Sequence, residues 1–188
     1  FGVRAWNLCV TDLMQGPVYG IETEESIIDD RLKTIFNYDE IFGTIINRFV
    51  TQAVIGYPLT VYGKGGQTRG YLNIKDTLQC VQVAEKNPPS KGKLNIFNQI
   101  VETFSVNQIA EIIKNAAKKI EVNVEIECIE NPRKELENHY YNSKYQGLIE
   151  NGFKPNYLTP EFLINMFRVV EKYKHDIRKD IIFRGVKW

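Results

Sequence analysis

Residues 59–73 read LTVYGKGGQTRGYLN. Gly63, Gly65 and Gly66 let a backbone come close to a ligand and turn N–H groups toward an anion, and Arg69, two residues past Gln67, adds a forked guanidinium suited to phosphate oxygens. That composition fits a diphosphate-binding loop; it also fits a decorated hairpin turn with an exposed arginine. A second stretch, NPRKELENHYYNSK at 131–144, sets Arg133 four residues before Glu137. This cation and carboxylate could hold a phosphate and a sugar hydroxyl, or could pair with each other while the tyrosines pack on the core. His139, beside Tyr140 and Tyr141, reads as structural rather than catalytic. A third stretch, TDLMQGPVYG at 11–20, is a strand that stops at Gln15, Gly16 and Pro17. Ligands of open α/β sheets bind at such strand ends, and Gln15 offers both a donor and an acceptor.

These stretches need elements to position them. Residues 8–13 (LCVTDL) read as a strand, whereas 21–39 are crowded with charge and read as a solvent-facing connection or flap. From 38 to 55, Ile41, Phe42, Ile45, Ile46, Phe49, Val50 and Val54 recur at spacings of three and four, which predicts a helix with one buried face, ended by Gly56. LTVYG and RGYLNI read as two short strands around the glycine-rich bend, followed by a helix capped by Asp76 or Thr77 and running to about Glu85. LNIFN at 94–98 is a strand, and Ser105 with Gln108 is a capping-box signature for the next helix. VNVEIECI at 122–129 alternates as a strand; 143–150 and 160–173 read as helices, the last with Thr159 as its cap and Pro160 at its first position. Strands alternating with helices indicate an α/β protein with some parallel sheet. The Gly-rich strand-turn-helix that opens a dinucleotide-binding sheet is not in these 188 residues, so the chain reads as the second half of such a fold.

Composition narrows the function. With 24 Lys and Arg against 23 Asp and Glu, a net charge of +1 gives no uniform field for nucleic acid or an anionic membrane, and any anion site must be local. No apolar run approaches the roughly 20 residues that span a bilayer. Cys9, Cys80 and Cys128 are far apart in apolar surroundings and are expected to be buried free thiols of a reducing compartment, which implies a cytoplasmic protein. Two histidines and no CxxC make a metal site unexpected.

Taken in order, TDLMQGPVYG, FGTIINRF at 42–49, PLTVYGKGGQTRGYL at 58–72 and NPRKELENHYYN at 131–142 resemble the extended short-chain dehydrogenase/reductase family, in its nucleotide-sugar branch, over nearly the whole chain. The GKGGQTRGYL and HYYN wording resembles the members that build a sulfonated sugar nucleotide from UDP-glucose and sulfite. The resemblance implies the carboxyl-terminal part of a Rossmann-type fold. Residues 1–20 and 75–105 would be the remainder of an NAD-binding domain, and 21–74 and 106–188 a smaller UDP-sugar-binding region. It also implies that Gln15 sits between nicotinamide and hexose, with Val18 near the cofactor. Thr44, Asn47 and Arg48 would meet the diphosphate-sugar, and the backbone of Thr60, Val61 and Tyr62 the uracil edge. Gln67 and Arg69 would hold the diphosphate, while Arg133 and Glu137 would close over phosphate and ribose.

In such enzymes bound NAD takes and returns a hydride, and the catalytic Thr, Tyr and Lys lie in the amino-terminal half. No catalytic residue is therefore expected here, since residues 1–6 match the tail of the helix that bears YxxxK. The chain alone is expected to be inactive, its partners being UDP-glucose, sulfite, the missing half and, for the complete enzyme, a second copy in a homodimer. A UDP-glucose 4-epimerase, a nucleotide-sugar 4,6-dehydratase and a non-catalytic nucleotide-binding module are the alternatives.

Overall fold

The computed structural model describes residues 1–131 and 143–182. Its order is α1 (Gly2–Trp6), β1 (Val10–Gln15), β2 (Val18–Tyr19), α2 (Glu24–Ile28), a 3-10 turn (Asp30–Leu32), α3 (Ile45–Val54), β3 (Leu59–Tyr62), β4 (Thr68–Asn73), α4 (Ile74–Lys86), β5 (Leu94–Gln99), β6 (Glu102–Ser105), α5 (Val106–Lys118), β7 (Ile126–Ile129), α6 (Gln146–Glu150) and α7 (Pro160–Lys172), with two closing 3-10 turns. Among the described residues no helix is long and apolar enough to cross a membrane.

Two hydrophobic cores organise these elements. In the larger, Ile46, Phe49 and Val50 of α3 pack with Ile109 and Ile113 of α5, Leu163 and Phe167 of α7, and Leu59 and Val61 of β3. Fully burying side chains of this size contributes about 1.5–3 kcal/mol each, so this helical trio dominates the apolar stabilisation. The smaller core joins Leu72, Cys80, Val83, Phe97, Val101, Leu148 and Phe153 beneath the parallel pair β1 and β5, which runs in register from Val10 opposite Leu94 to Gln15 opposite Gln99.

Helix ends follow the sequence where polar caps are available. Ser105 accepts from Gln108 N–H while the Gln108 side chain accepts from Ser105 N–H, closing the expected capping box, and Thr159 accepts from Phe162 N–H at the start of α7. Elsewhere the structure corrects the expectation. The helix predicted from Tyr38 begins only at Ile45, because Asp39 Oδ1 takes the N–H groups of Ile41 and Phe42 into a turn. Helix α4 is capped by Asn73, which places Asp76 inside its first turn. Strands β3 and β4 do not pair as a hairpin: β3 runs parallel to β7, while β4 lies between β2 and β6. Strand β7 is shorter than the alternation of 122–129 suggests. Of the three cysteines Cys80 alone is buried; Cys9 and Cys128 are exposed free thiols.

Candidate functional site

Separating β3 from β4 opens a cavity of about 450 Å³ at the glycine-rich bend. Thr44, Ile45 and Arg48 reach it from the start of α3, Glu40 to Gly43 from the preceding turn, Tyr62 from the end of β3, and Gln67, Arg69 and Tyr71 from the bend and β4. Pro17, Val106 and Asn131 complete its lining.

Two guanidiniums and one carboxylate, that of Glu40, carry the charge of the lining. Arg48 is 6% exposed, with its guanidinium carbon 5.0 Å from the Tyr62 ring centroid and 5.7 Å from that of Phe49. Arg69 donates Nη1–H to Thr68 O at 3.0 Å. Burial pushes the Tyr71 phenol well above its ordinary range, while the nearby charges of Arg69 and Arg48 pull it back. Gln67 is buried and donates Nε2–H to Tyr62 O at 3.3 Å; its Oε1 and the Thr44 hydroxyl have no hydrogen-bond partner among the described residues. Two cations and a helix N-terminus, with the Glu40 carboxylate 3.5 Å from the Tyr62 hydroxyl and two unsatisfied polar oxygens, suit an anion that also carries hydroxyl or N–H donors.

Thr44, Arg48, Tyr62, Gln67 and Arg69 are thus brought together. Asn47 works behind the wall: its Oδ1 accepts from Gly20 N–H at 3.1 Å and its Nδ2–H donates to Asn37 O at 3.3 Å. Thr60 is engaged by Gln52, whose Oε1 accepts the Thr60 N–H at 3.2 Å and whose Nε2–H donates to Thr60 Oγ1 at 2.8 Å. Val61 is fully buried opposite Cys128 of β7. Gln15 is exposed, its amide 3.5 Å from Thr77 Oγ1, and Val18 packs on the smaller core. Arg133 and Glu137 lie outside the described residues. The sequence reading missed the turn of Glu40 to Gly43, because Ile41 and Phe42 fit the helical period; the signal against it was Asp39 followed by Gly43.

A second polar cluster lies away from the cavity. Glu102 Oε2 accepts from the Tyr19 hydroxyl at 3.0 Å and from Leu158 N–H at 2.8 Å. Asp76 accepts from Asn156 N–H and Nδ2–H, and Gln79 holds both backbone groups of Lys154. Three side chains therefore grip every second residue of the segment joining α6 to α7. Burial raises both carboxyls above their ordinary range, and Cys80, buried next to Asp76, is pushed up to about 12.

The sequence of the chain aligns in full, at 46% identity over 188 residues, with the chloroplastic UDP-sulfoquinovose synthase of Spinacia oleracea. With the UDP-sulfoquinovose synthase of Sulfolobus acidocaldarius it shares 44% identity over 185 residues, 97% of the chain. The chain is a relative of the UDP-sulfoquinovose synthases. It spans 39% of the spinach synthase and 47% of the archaeal one. No family model matches it. Among solved structures, the UDP-glucose 4-epimerase of Thermus thermophilus, in complex with NAD, superimposes with a TM-score of 0.65 at 18% identity, over 89% of this chain and 49% of the epimerase. An epimerase from Methanothermobacter thermautotrophicus gives 0.69 at 16% identity, over 95% of the chain and 48% of its own. The fold of this synthase relative is therefore the α/β, Rossmann-type fold of the nucleotide-sugar epimerases.

Proposed function

We propose that this chain is the sugar-nucleotide-binding part of a UDP-sulfoquinovose synthase, which converts UDP-glucose and sulfite to UDP-sulfoquinovose. The observation that carries the reading is the meeting of Arg48, Arg69 and Gln67 with the start of α3 on one cavity. Forked, charge-assisted donors on two elements match the two phosphates of a nucleoside diphosphate, and the partly enclosed setting strengthens them relative to water. Arg133 and Glu137 would add contacts to phosphate and ribose. Asn47 acts as a positioning residue, tying Gly20 and Asn37 to the helix that carries Arg48.

The smaller core supports a division of labour. Residues 1–20 and 75–105 contribute the parallel β1 and β5 pair, and 21–74 most of the described cavity lining, although Pro17 also lines the cavity and Leu72, Leu148 and Phe153 pack in the smaller core. Met14, Leu94 and Ile96, on one face of the pair, are 51%, 47% and 58% exposed. Parallel strands are ordinarily covered on both faces, so this face fits a further layer of a dinucleotide-binding sheet. NAD supplies hydride transfer in such enzymes. The 188 residues contain no Gly-rich strand-turn-helix of the dinucleotide-binding kind, and exposed Gln15 with half-buried Val18 would only flank a dinucleotide held elsewhere. What this chain does is bind, orient and shield the sugar nucleotide. The dinucleotide-binding half, sulfite and a second copy of the complete enzyme are the proposed partners. The free thiols support a reducing compartment, the cytoplasm.

The test is mass spectrometry of products when the chain, together with a dinucleotide-binding half, receives UDP-glucose, NAD and sulfite. A sulfonated UDP-hexose that appears only with sulfite is expected, and none from the chain alone. An epimerised or dehydrated UDP-sugar in its place would contradict the synthase reading.

A further inference from the structure

The turn leading into α3 holds a large apolar side chain in water. Phe42 is 74% exposed and Ile41 41% exposed, both on the lining of the cavity. A phenylalanine is among the side chains that gain most from burial, so a ring kept out of both cores asks for a reason. Slackness is not the reason. Asp39 Oδ1 accepts the N–H groups of Ile41 and Phe42, each at 2.8 Å, and Gly43 N–H donates to Asp39 O at 3.1 Å. Glu40 N–H donates to Ile181 O at 3.2 Å, fixing the loop from outside. A Cβ at residue 43 would run into the backbone of Tyr38 and Asp39, so this closed turn requires glycine there. The Tyr62 hydroxyl stands 3.5 Å from Glu40 Oε1, which moors the loop on the β3 side of the cavity, where Arg48 lies over the Tyr62 ring.

We infer that the Asp39-pinned turn presents Phe42 as an aromatic wall on which the planar base of the nucleoside diphosphate stacks, making Phe42 the residue that distinguishes a nucleotide from a bare diphosphate. This rests on the nucleotide-binding reading above. An aromatic face recognises a base without hydrogen bonds, and preorganising the ring avoids the ordering cost that a mobile loop would meet on binding. The anion would be held by Arg48 on α3 and Arg69 on β4, outside the turn that carries Phe42, so the two parts of recognition can be measured apart.

The experiment is calorimetric titration of the 188-residue chain with UDP, UDP-glucose and inorganic pyrophosphate. It compares the parent with Phe42→Ala, Phe42→Trp and Asp39→Ala, each checked for an unchanged thermal melt. Phe42→Ala is expected to weaken UDP and UDP-glucose about tenfold or more while leaving pyrophosphate unchanged. Phe42→Trp should retain UDP, and Asp39→Ala should fall between Phe42→Ala and the parent. Unchanged UDP binding by Phe42→Ala would overturn the inference and leave the diphosphate site standing. A loss confined to UDP-glucose would also overturn it, since the ring would then face the hexose. A parent that binds none of the three would overturn the nucleotide reading and the inference with it.

Discussion

The two hydrophobic cores of this chain differ in completeness. The α3, α5 and α7 core is closed: Phe49, Ile109 and Leu163 are fully buried, and both α5 and α7 start on side-chain caps. The β1 and β5 core is covered on one face by α4 and α6, while Ile96 and Leu94 on the other meet solvent. The cavity belongs to the closed core, since α3 carries Arg48 and β3 carries Tyr62. The proposed ligand cavity thus lies on the more deeply buried scaffold, and the exposed face of the β1 and β5 pair is where the proposed dinucleotide-binding half would pack.

The sharpest way to break this comparison is to damage each core in turn. Phe49→Ala in the closed core should cost about 3–5 kcal/mol in urea unfolding, because the buried ring leaves a cavity that packed helices cannot collapse. Removing the α5 cap with Ser105→Ala should cost about 1 kcal/mol by the same measurement, through loss of the bond to Gln108 N–H. Next comes a slope rather than a step. Asp76 and Glu102 have raised pKa values in the folded chain, so the native state holds their protons more tightly than the unfolded state. Their contribution is fullest below the ordinary carboxylate range and declines as pH rises through the raised values. Urea midpoints measured across that window should show this decline, and Asp76→Asn should flatten it. The smallest effect belongs to the open face, where Ile96→Ala should change stability by less than about 0.5 kcal/mol in the chain alone. A large loss there would show that the face is already covered.

The same contrast explains what was legible in the sequence. Ser105 with Gln108, and Thr159 with Pro160, declare their helices because a cap is a local contract between residues three apart. The start of α3 is the end that misleads: Ile41 and Phe42 satisfy the helical period, yet the Asp39 carboxylate captures their N–H groups. Strand pairing was less legible still. LTVYG and RGYL look like a hairpin because adjacency in sequence is visible, whereas the partners of β3 and β4 lie at β7, β2 and β6. That separation creates the cavity, so the site could be named from Gln67 and Arg69 while its second wall, from Glu40 to Gly43, could not. Asn47 and Thr60 show the converse: their polar groups are engaged by Gly20, Asn37 and Gln52, which no spacing rule reveals.

The most direct measurement is calorimetric titration of UDP into the chain and its Arg69→Ala variant at fixed low salt. Saturable binding by the parent, weakened about tenfold or more by the loss of one charge-assisted phosphate contact, is expected. Equal affinity in the two chains, or no binding by the parent, would contradict the assignment of this cavity to a nucleoside diphosphate.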